Sequence, residues 1–261
     1  LSLHYYVHPG GFWNKGDAVR FNDKEWQISM QKAYHIEELI QKHSTIMDKY
    51  DPEKRIAMIV DEWGAWYDVE PGTNPGFLYQ QNTVRDAVIA GISLNIFNNH
   101  NDRIKMANIA QMVNVIQSMV LTEEDKMLLT PTYHVFRMYK VHQDAERVAL
   151  DIETKMLEID GKEYPQVNGS ASKQADGTIN ISLTNADKDN QTTAEFILRG
   201  TPFNQVTGEI ITSEKMNDHN TFEQPDKVKP VKFTDFEQQG QTLKVTLPPM
   251  SVVVLSVKSD H

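Results

Sequence analysis

Arg55-Ile-Ala-Met-Ile-Val-Asp-Glu-Trp63 is the stretch of the sequence that decides the fold. Its apolar part is short and unbroken, which is typical of a strand buried on both faces of a sheet. The run ends abruptly at Asp61 and Glu62. In parallel α/β folds, ligands bind at the carboxyl ends of the strands. The stretch therefore predicts a buried parallel strand that carries two carboxylates to the edge of a sheet.

The segments around this strand alternate between strand-like and helix-like patterns. Leu1–Val7 is rich in β-forming residues, and Asp23–Met47 has apolar residues at helical spacing. The same criteria predict a helix over Phe77–Ala90, a third buried strand over Gly91–Phe97 and a long helix over Asn101–Val120. Such alternation indicates a parallel α/β arrangement.

The pattern changes near Glu146, where helical spacing fades and short β-branched runs separated by turn signals take over. The runs predicted as strands are Ile179–Leu183, Ala194–Leu198, Glu209–Thr212, Leu243–Leu247 and Val252–Val257. They predict an antiparallel β-sandwich of the jelly-roll kind. We therefore expect one domain over residues 1–145 and a second over residues 146–261, bridged by Thr130–His142 and its apolar face.

The composition excludes several classes of protein. The chain has 261 residues, with 26 Lys and Arg against 36 Asp and Glu, and a formal net charge of −10. This balance argues against a nucleic-acid partner, which would require clustered basic charge. A run of about 18 apolar residues is absent from the sequence, so no membrane span is predicted. Without cysteine, the chain has no disulfides, thiolate metal sites or cysteine nucleophiles.

Glu62 is the first candidate catalytic residue, because a carboxylate at a strand end can act as nucleophile or as general acid or base. Trp66 and its aromatic neighbours follow at once, and such rings can pack on the apolar face of a sugar. The structural alternative is an acidic helix cap or a plain loop. His4 and Tyr6 lie on the first strand and could share a pocket with Glu62, or they could face the core and the helices.

Two further polar residues, Gln111 and Asn114, interrupt the apolar face of the predicted long helix. Since they are three apart, they would lie on one face, directed either to solvent or to a polar pocket. No metal site is predicted, because no acid-rich triad accompanies the histidines.

Four segments together carry a family resemblance. Val60-Asp-Glu-Trp-Gly-Ala-Trp-Tyr67 resembles the nucleophile segment of the glycoside hydrolase family 51 α-L-arabinofuranosidases, which typically reads Asp-Glu-Trp-Asn-x-Trp-Tyr. Gly64 stands at the Asn position. Ser2–Tyr6 is similar to the preceding barrel strand, Asn101–Val115 to the final barrel helix and Leu247–Leu255 to the closing strand. These segments occur in the family's order and span nearly the whole chain.

The resemblance implies a (β/α)8 barrel followed by a β-sandwich, and hydrolysis with retention of configuration. It assigns the nucleophile to Glu62, a supporting role to Tyr6 and a substrate contact to Trp66, with His4 and Gln111 as further pocket members. It implies no metal or organic cofactor. The implied substrates are terminal α-L-arabinofuranosyl residues of arabinan, arabinoxylan or arabino-oligosaccharides, and homo-oligomerisation is compatible with the family.

The acid/base partner is expected to lie outside this chain, because the family carries it on an earlier barrel strand. The sequence offers three strand–helix units, whereas a barrel needs eight. The start at Leu1 is interpreted as a cleaved leader or as a domain cut through its middle, and the chain alone is expected to be inactive. Localisation is left open. The alternatives to an arabinofuranosidase function are a related endo-β-glucanase or xylan-active hydrolase, and a non-catalytic carbohydrate-binding module.

Overall fold

The computed structural model describes residues 1–199 and 203–258. Within them the helices are α1 (Asp23–Tyr50), α2 (Val84–Asn99) and α3 (Pro131–Tyr139), with single 3₁₀ turns at Pro75–Phe77 and Lys140–His142. The strands are β1 (Ser2–Val7), β2 (Met58–Ala65), β3 (Ile104–Ile109), β4 (Val120–Glu123), β5 (Lys126–Leu129), β6 (Glu146–Val148), β7 (Met156–Ile159), β8 (Lys162–Pro165), β9 (Val167–Lys173), β10 (Ile179–Asn185), β11 (Thr192–Ile197), β12 (Gln205–Ile211), β13 (Val231–Lys232), β14 (Phe236–Gln239), β15 (Thr242–Leu247) and β16 (Ser251–Lys258).

The first part of the chain is a parallel sheet in the order β1-β2-β3 with helices packed on it. Met58 and Val60 of the central strand are fully buried, as the unbroken apolar run predicts. α1 starts at a capping box. The Asn22 side chain accepts a hydrogen bond from the backbone N–H of Glu25, and the Glu25 carboxylate accepts one from the backbone N–H of Asn22. Parallel pairing brings the carboxyl ends of all three strands to one edge.

The second part is an antiparallel β-sandwich. One sheet has the order β13-β12-β16-β10-β9-β6, and the other has the order β11-β15-β14. Leu183, Leu243 and Leu255 are fully buried members of the core between them. Each of the five predicted strand segments overlaps a strand of these sheets. The predicted fold class, an α/β part followed by an antiparallel sandwich, is therefore confirmed.

The two parts share one hydrophobic core in which α2 is central. This core cluster includes Val60 of the parallel sheet, Ile89 of α2 and Val252 of the sandwich. α2 lies so close to the sandwich that a Cβ built on Gly91 would be 2.6 Å from Cγ2 of Thr184. Glycine is therefore the residue that this contact requires.

The predicted strand over Gly91–Phe97 is wrong, because these residues form part of α2. The predicted helix over Phe77–Ala90 is correct only from Val84 onward. The physical reason is burial on nearly all sides: α2 lies between the parallel sheet and the sandwich, so its apolar residues are not confined to one face. A short apolar run of this kind has no period that distinguishes a buried helix from a buried strand.

The predicted helix over Asn101–Val120 is also wrong. Its residues form β3 and a loop that leads into the β4–β5 hairpin. Asn114 and Ile116 have φ of 59° and 53°, a left-handed conformation that a helix interior does not contain. The Asn114 amide group accepts from the Thr122 backbone N–H and donates to its hydroxyl, so it fastens the loop to the hairpin. The third parallel strand is thus β3.

The bridging segment has the apolar face predicted for it. α3 buries Val135, Met138 and Tyr139. Four aromatic side chains of the second half, Tyr164, Phe196, Phe203 and Phe233, are buried in the hydrophobic cores. Among the described helices, none is both long and apolar enough to span a bilayer.

Candidate active site

A β-bulge places the two acidic residues at the carboxyl edge of the sheet. Against β1, Leu3 pairs with Val60 but His4 pairs with Glu62, so β2 carries one extra residue at this point. Against β3, the register shifts again between Val60 and Trp63. A bulge redirects side chains locally and is common beside active sites. Here it lets Asp61 and Glu62 both approach the imidazole of His4.

The Glu62 carboxylate is held by two side chains of β1. The Tyr6 hydroxyl donates a hydrogen bond of 2.8 Å to Glu62 Oε2. His4 Nδ1 lies 3.7 Å from the same oxygen. Burial, followed by the hydrogen bond and the charge of Glu62, raises the pKa of Tyr6 well above its usual value. The phenol therefore stays protonated and remains a donor to the carboxylate.

Asp61 lies on the other nitrogen of the same imidazole, with its Oδ2 3.9 Å from His4 Nε2. The side chain of Glu62 is 48% exposed and that of Asp61 is 39% exposed. Both carboxylates are accordingly accessible to a ligand from solvent. They differ in their partners, because it is Glu62 that accepts the tyrosine hydrogen bond.

The Trp66 ring packs on Tyr6, the residue whose hydroxyl donates to Glu62. The two rings meet edge-on, with centroids 5.1 Å apart and an interplanar angle of 69°. The Lys15 ammonium lies 4.9 Å from the centroid of the Trp66 ring. The backbone N–H of Trp66 donates to the Val7 carbonyl, which fixes this ring against the end of β1. A carboxylate and an aromatic face thus share one edge of the sheet.

Buried amide contacts hold the end of β2 in position below Glu62. The Gln117 side chain accepts from the Ala65 backbone N–H at 2.6 Å and donates to the Asp86 carbonyl and the Thr132 hydroxyl. A Cβ on Gly64, which has φ of 142°, would lie 3.0 Å from Gln117 Oε1. Gly64, which stands where the family motif typically has Asn, therefore leaves room for the Gln117 side chain. A side chain at position 64 would displace that glutamine.

Gln111 was predicted to lie on a helix face, but the structure places it in a loop. It follows β3 by two residues, in a loop whose preceding Ala110 N–H donates to the Trp63 carbonyl. Its side chain lines a cavity of about 690 Å³ together with Leu78, Tyr79 and Phe222, whereas Glu62 is not a lining residue. The structure therefore brings His4, Tyr6, Glu62 and Trp66 together, and places Gln111 at a neighbouring cavity.

Three contributors to this edge were missed in the sequence. Gln117 lay within the helix predicted over Asn101–Val120, and no local pattern could have identified its contacts. Lys15 and Phe12 lie in the loop after β1, and the aromatic pair Phe12-Trp13 directly after a Gly-Gly dipeptide was a usable signal. Across the two described ranges, no group of three or more His, Asp and Glu side chains is arranged to hold a metal ion.

The fold and the site define an α/β protein with a carboxylate site at its strand ends and a β-sandwich behind it. A family profile described as "Alpha-L-arabinofuranosidase C-terminal domain" matches residues 61–251. The chain belongs to this family.

The chain is similar to named relatives over almost its full length. It is 48% identical over 259 residues to the intracellular exo-alpha-L-arabinofuranosidase of Bacteroides ovatus, an alignment that covers 99% of this chain and 50% of that protein. Against the crystal structure of the GH51 arabinofuranosidase from Xanthomonas axonopodis pv. citri it has 46% identity and a TM-score of 0.96, with 98% of this chain and 52% of that chain covered.

A more distant structure supports the fold alone. The family 51 alpha-L-arabinofuranosidase of Bifidobacterium longum matches with a TM-score of 0.84 at 23% identity, over 98% of this chain and 52% of that one. The predicted resemblance to glycoside hydrolase family 51 is thus confirmed. The chain spans about half the length of the relatives it matches.

Proposed function

We propose that this chain is the C-terminal part of a retaining α-L-arabinofuranosidase and that Glu62 is its nucleophile. The observation that carries the proposal is the hydrogen bond from the Tyr6 hydroxyl to the Glu62 carboxylate, at a bulge on the carboxyl edge of a parallel sheet. Carboxyl ends of parallel strands are where α/β enzymes bind their ligands. The named relatives are arabinofuranosidases, which supports the same reaction class.

The proposed chemistry proceeds in two displacements. A Glu62 oxygen attacks the anomeric carbon of a terminal arabinofuranosyl unit, the glycosidic C–O bond breaks, and a general acid protonates the departing oxygen. This gives an arabinosyl ester on Glu62. Water, deprotonated by the same partner acting as base, then attacks the anomeric carbon, and the ester bond to Glu62 breaks. Two inversions release arabinose with its configuration retained.

Each neighbour of Glu62 has a role in this scheme. The Tyr6 phenol donates to the Glu62 carboxylate and so orients it for attack. Trp66 offers an aromatic face for the sugar ring. His4 lies between Asp61 and Glu62 and restricts where both carboxylates point.

The acid/base partner is proposed to come from a part of the polypeptide outside these 261 residues. A retaining glycosidase needs a second carboxyl group about 5–5.5 Å from the nucleophile. Within the described part of the chain, the Glu62 carboxylate contacts the side chains of Tyr6 and His4, neither of which is a carboxylic acid. We further propose that the three parallel strands belong to a (β/α)8 barrel, that residues 1–145 form its last part, and that residues 146–261 form the sandwich domain.

No observation favours the two alternative functions. A glycan-binding module would expose aromatic rings on the sandwich. Of the six aromatic residues in the second half, Tyr164, Phe196, Phe203 and Phe233 are buried, and Phe222 and Phe236 are only partly exposed. An endo-acting β-glucan or xylan hydrolase would share the carboxylate chemistry, so the substrate must be tested directly.

The full-length protein is expected to release nitrophenol from nitrophenyl α-L-arabinofuranoside and arabinose from arabino-oligosaccharides, and to leave β-glucan and xylan backbones intact. The 261-residue chain alone is expected to be at least about a thousandfold slower, because it lacks the acid. Initial rates on the substrates check both statements. Faster hydrolysis of β-glucan than of the arabinoside would contradict the substrate, and rapid arabinoside hydrolysis by the 261-residue chain would contradict the missing acid.

A further inference from the structure

A row of side chains leads outward from Glu62 to two exposed aromatic rings. The Tyr6 ring is 5.1 Å from the Trp66 ring, and the Lys15 ammonium lies 4.9 Å from the Trp66 ring centroid. The same ammonium lies 5.1 Å from the Phe12 ring centroid. The row is continuous, because each member contacts the next, and it starts at the carboxylate proposed as nucleophile.

The outer end of the row is a pair of rings. Phe12 and Trp13 pack edge-on with centroids 4.9 Å apart, and they are 66% and 91% exposed. Single exposed apolar residues are common on proteins, but adjacent exposed rings beside a polar site form a patch of the kind that binds ligands. Their faces are large, apolar and accessible.

The loop that carries the rings is fixed to the end of β2. The Asp68 carboxylate accepts from the backbone N–H groups of Lys15 and Gly16, and the Asp68 N–H donates to the Gly16 carbonyl. At the other end of the loop, the Lys32 ammonium donates to the carbonyls of His8 and Gly10. A platform anchored at both ends loses little conformational freedom when a ligand binds.

We propose that Phe12 and Trp13 form an outer sugar-binding platform for the leaving-group part of an arabinose-containing oligosaccharide. This rests on the proposed function, in which a terminal arabinosyl unit occupies the space at Glu62 and Trp66. The remainder of such a substrate must leave that space outward, and the row extends outward from it. Sugar rings have apolar faces that pack on aromatic side chains, and their hydroxyl groups can accept a hydrogen bond from the Lys15 ammonium.

The test measures binding in the full-length protein carrying Glu62→Gln, so that the ligand is not consumed. Isothermal titration calorimetry with arabinotetraose and with arabinobiose gives two dissociation constants. Adding Trp13→Ala is expected to weaken arabinotetraose about three- to tenfold and arabinobiose by less than about twofold. Trp13→Phe is expected to recover most of the lost affinity, because it restores a ring.

Tyr50→Ala is the matched control. Tyr50 is an aromatic residue that is 78% exposed, at the far end of α1, where removal of a ring should change neither constant. Equal weakening of both ligands by Trp13→Ala, no weakening of either, or no binding of arabinotetraose before the change would each overturn the platform. Failure of the proposed function is distinguished separately, because the Glu62→Gln protein would then still hydrolyse the oligosaccharide during the titration.

Discussion

Glu62→Gln in the full-length protein is expected to lower kcat for nitrophenyl α-L-arabinofuranoside by at least about a thousandfold, as loss of a covalent nucleophile does in other enzymes. The amide keeps the size of the carboxylate but cannot form the arabinosyl ester. The Tyr6 hydroxyl can still donate to the amide oxygen, so the local structure should be retained. Steady-state kinetics give the measurement.

Two variants control for the chemical change itself. Glu53→Gln makes the same substitution at a residue that is 75% exposed and precedes β2, at the opposite edge of the sheet, and should leave kcat unchanged. Asp61→Asn tests the neighbouring carboxylate, and we expect a smaller loss because Asp61 lacks the tyrosine hydrogen bond. If Asp61→Asn removed activity while Glu62→Gln kept it, the assignment of the nucleophile would be reversed.

Trp26→Ala is expected to lower the free energy of unfolding by about 3–5 kcal/mol, the range for a fully buried tryptophan. Trp26 lies in the first turns of α1 with no exposed surface, and its indole N–H donates to the Ala186 carbonyl at 3.0 Å. This contact joins α1 to the segment after β10. The substitution therefore removes core volume and leaves a buried carbonyl without its donor. Urea denaturation followed by circular dichroism measures the change.

Trp26→Phe separates packing from hydrogen bonding at this site. It keeps most of the buried ring and removes the donor, so the expected loss is about 1–2 kcal/mol. A loss below about 1 kcal/mol for Trp26→Ala would mean that the junction between α1 and the sandwich does not contribute to the shared core.

The sequence predicted α1 from the helical spacing of its apolar residues. It predicted the central strand from an unbroken apolar run that ends in two acids, and the sandwich strands from short β-branched runs separated by turn signals. It did not predict α2 correctly, because a helix buried on nearly all sides shows no one-sided apolar period. The segment after β3 failed for a different reason. Its apolar residues mimic a helix, but left-handed backbone at Asn114 and Ile116 forms a loop that the hairpin stabilises.

The candidate site was predictable in its residues but not in its geometry. Glu62, Tyr6, His4 and Trp66 follow from strand ends and motif, and the structure brings these four together. The bulge at Asp61 depends on pairing with two neighbouring strands, so no local pattern encodes it. The contact of Gln117 with the end of β2 likewise depends on tertiary packing.

The central claim is that Glu62 forms the covalent arabinosyl ester. The most direct measurement uses the full-length protein and an arabinofuranoside with a good leaving group, quenched in acid during turnover, digested and analysed by peptide mass spectrometry. We predict one arabinosyl unit on the peptide that contains Glu62, located on that side chain by fragmentation, and none in the Glu62→Gln protein. An arabinosyl unit on Asp61 or on any other residue would contradict the account.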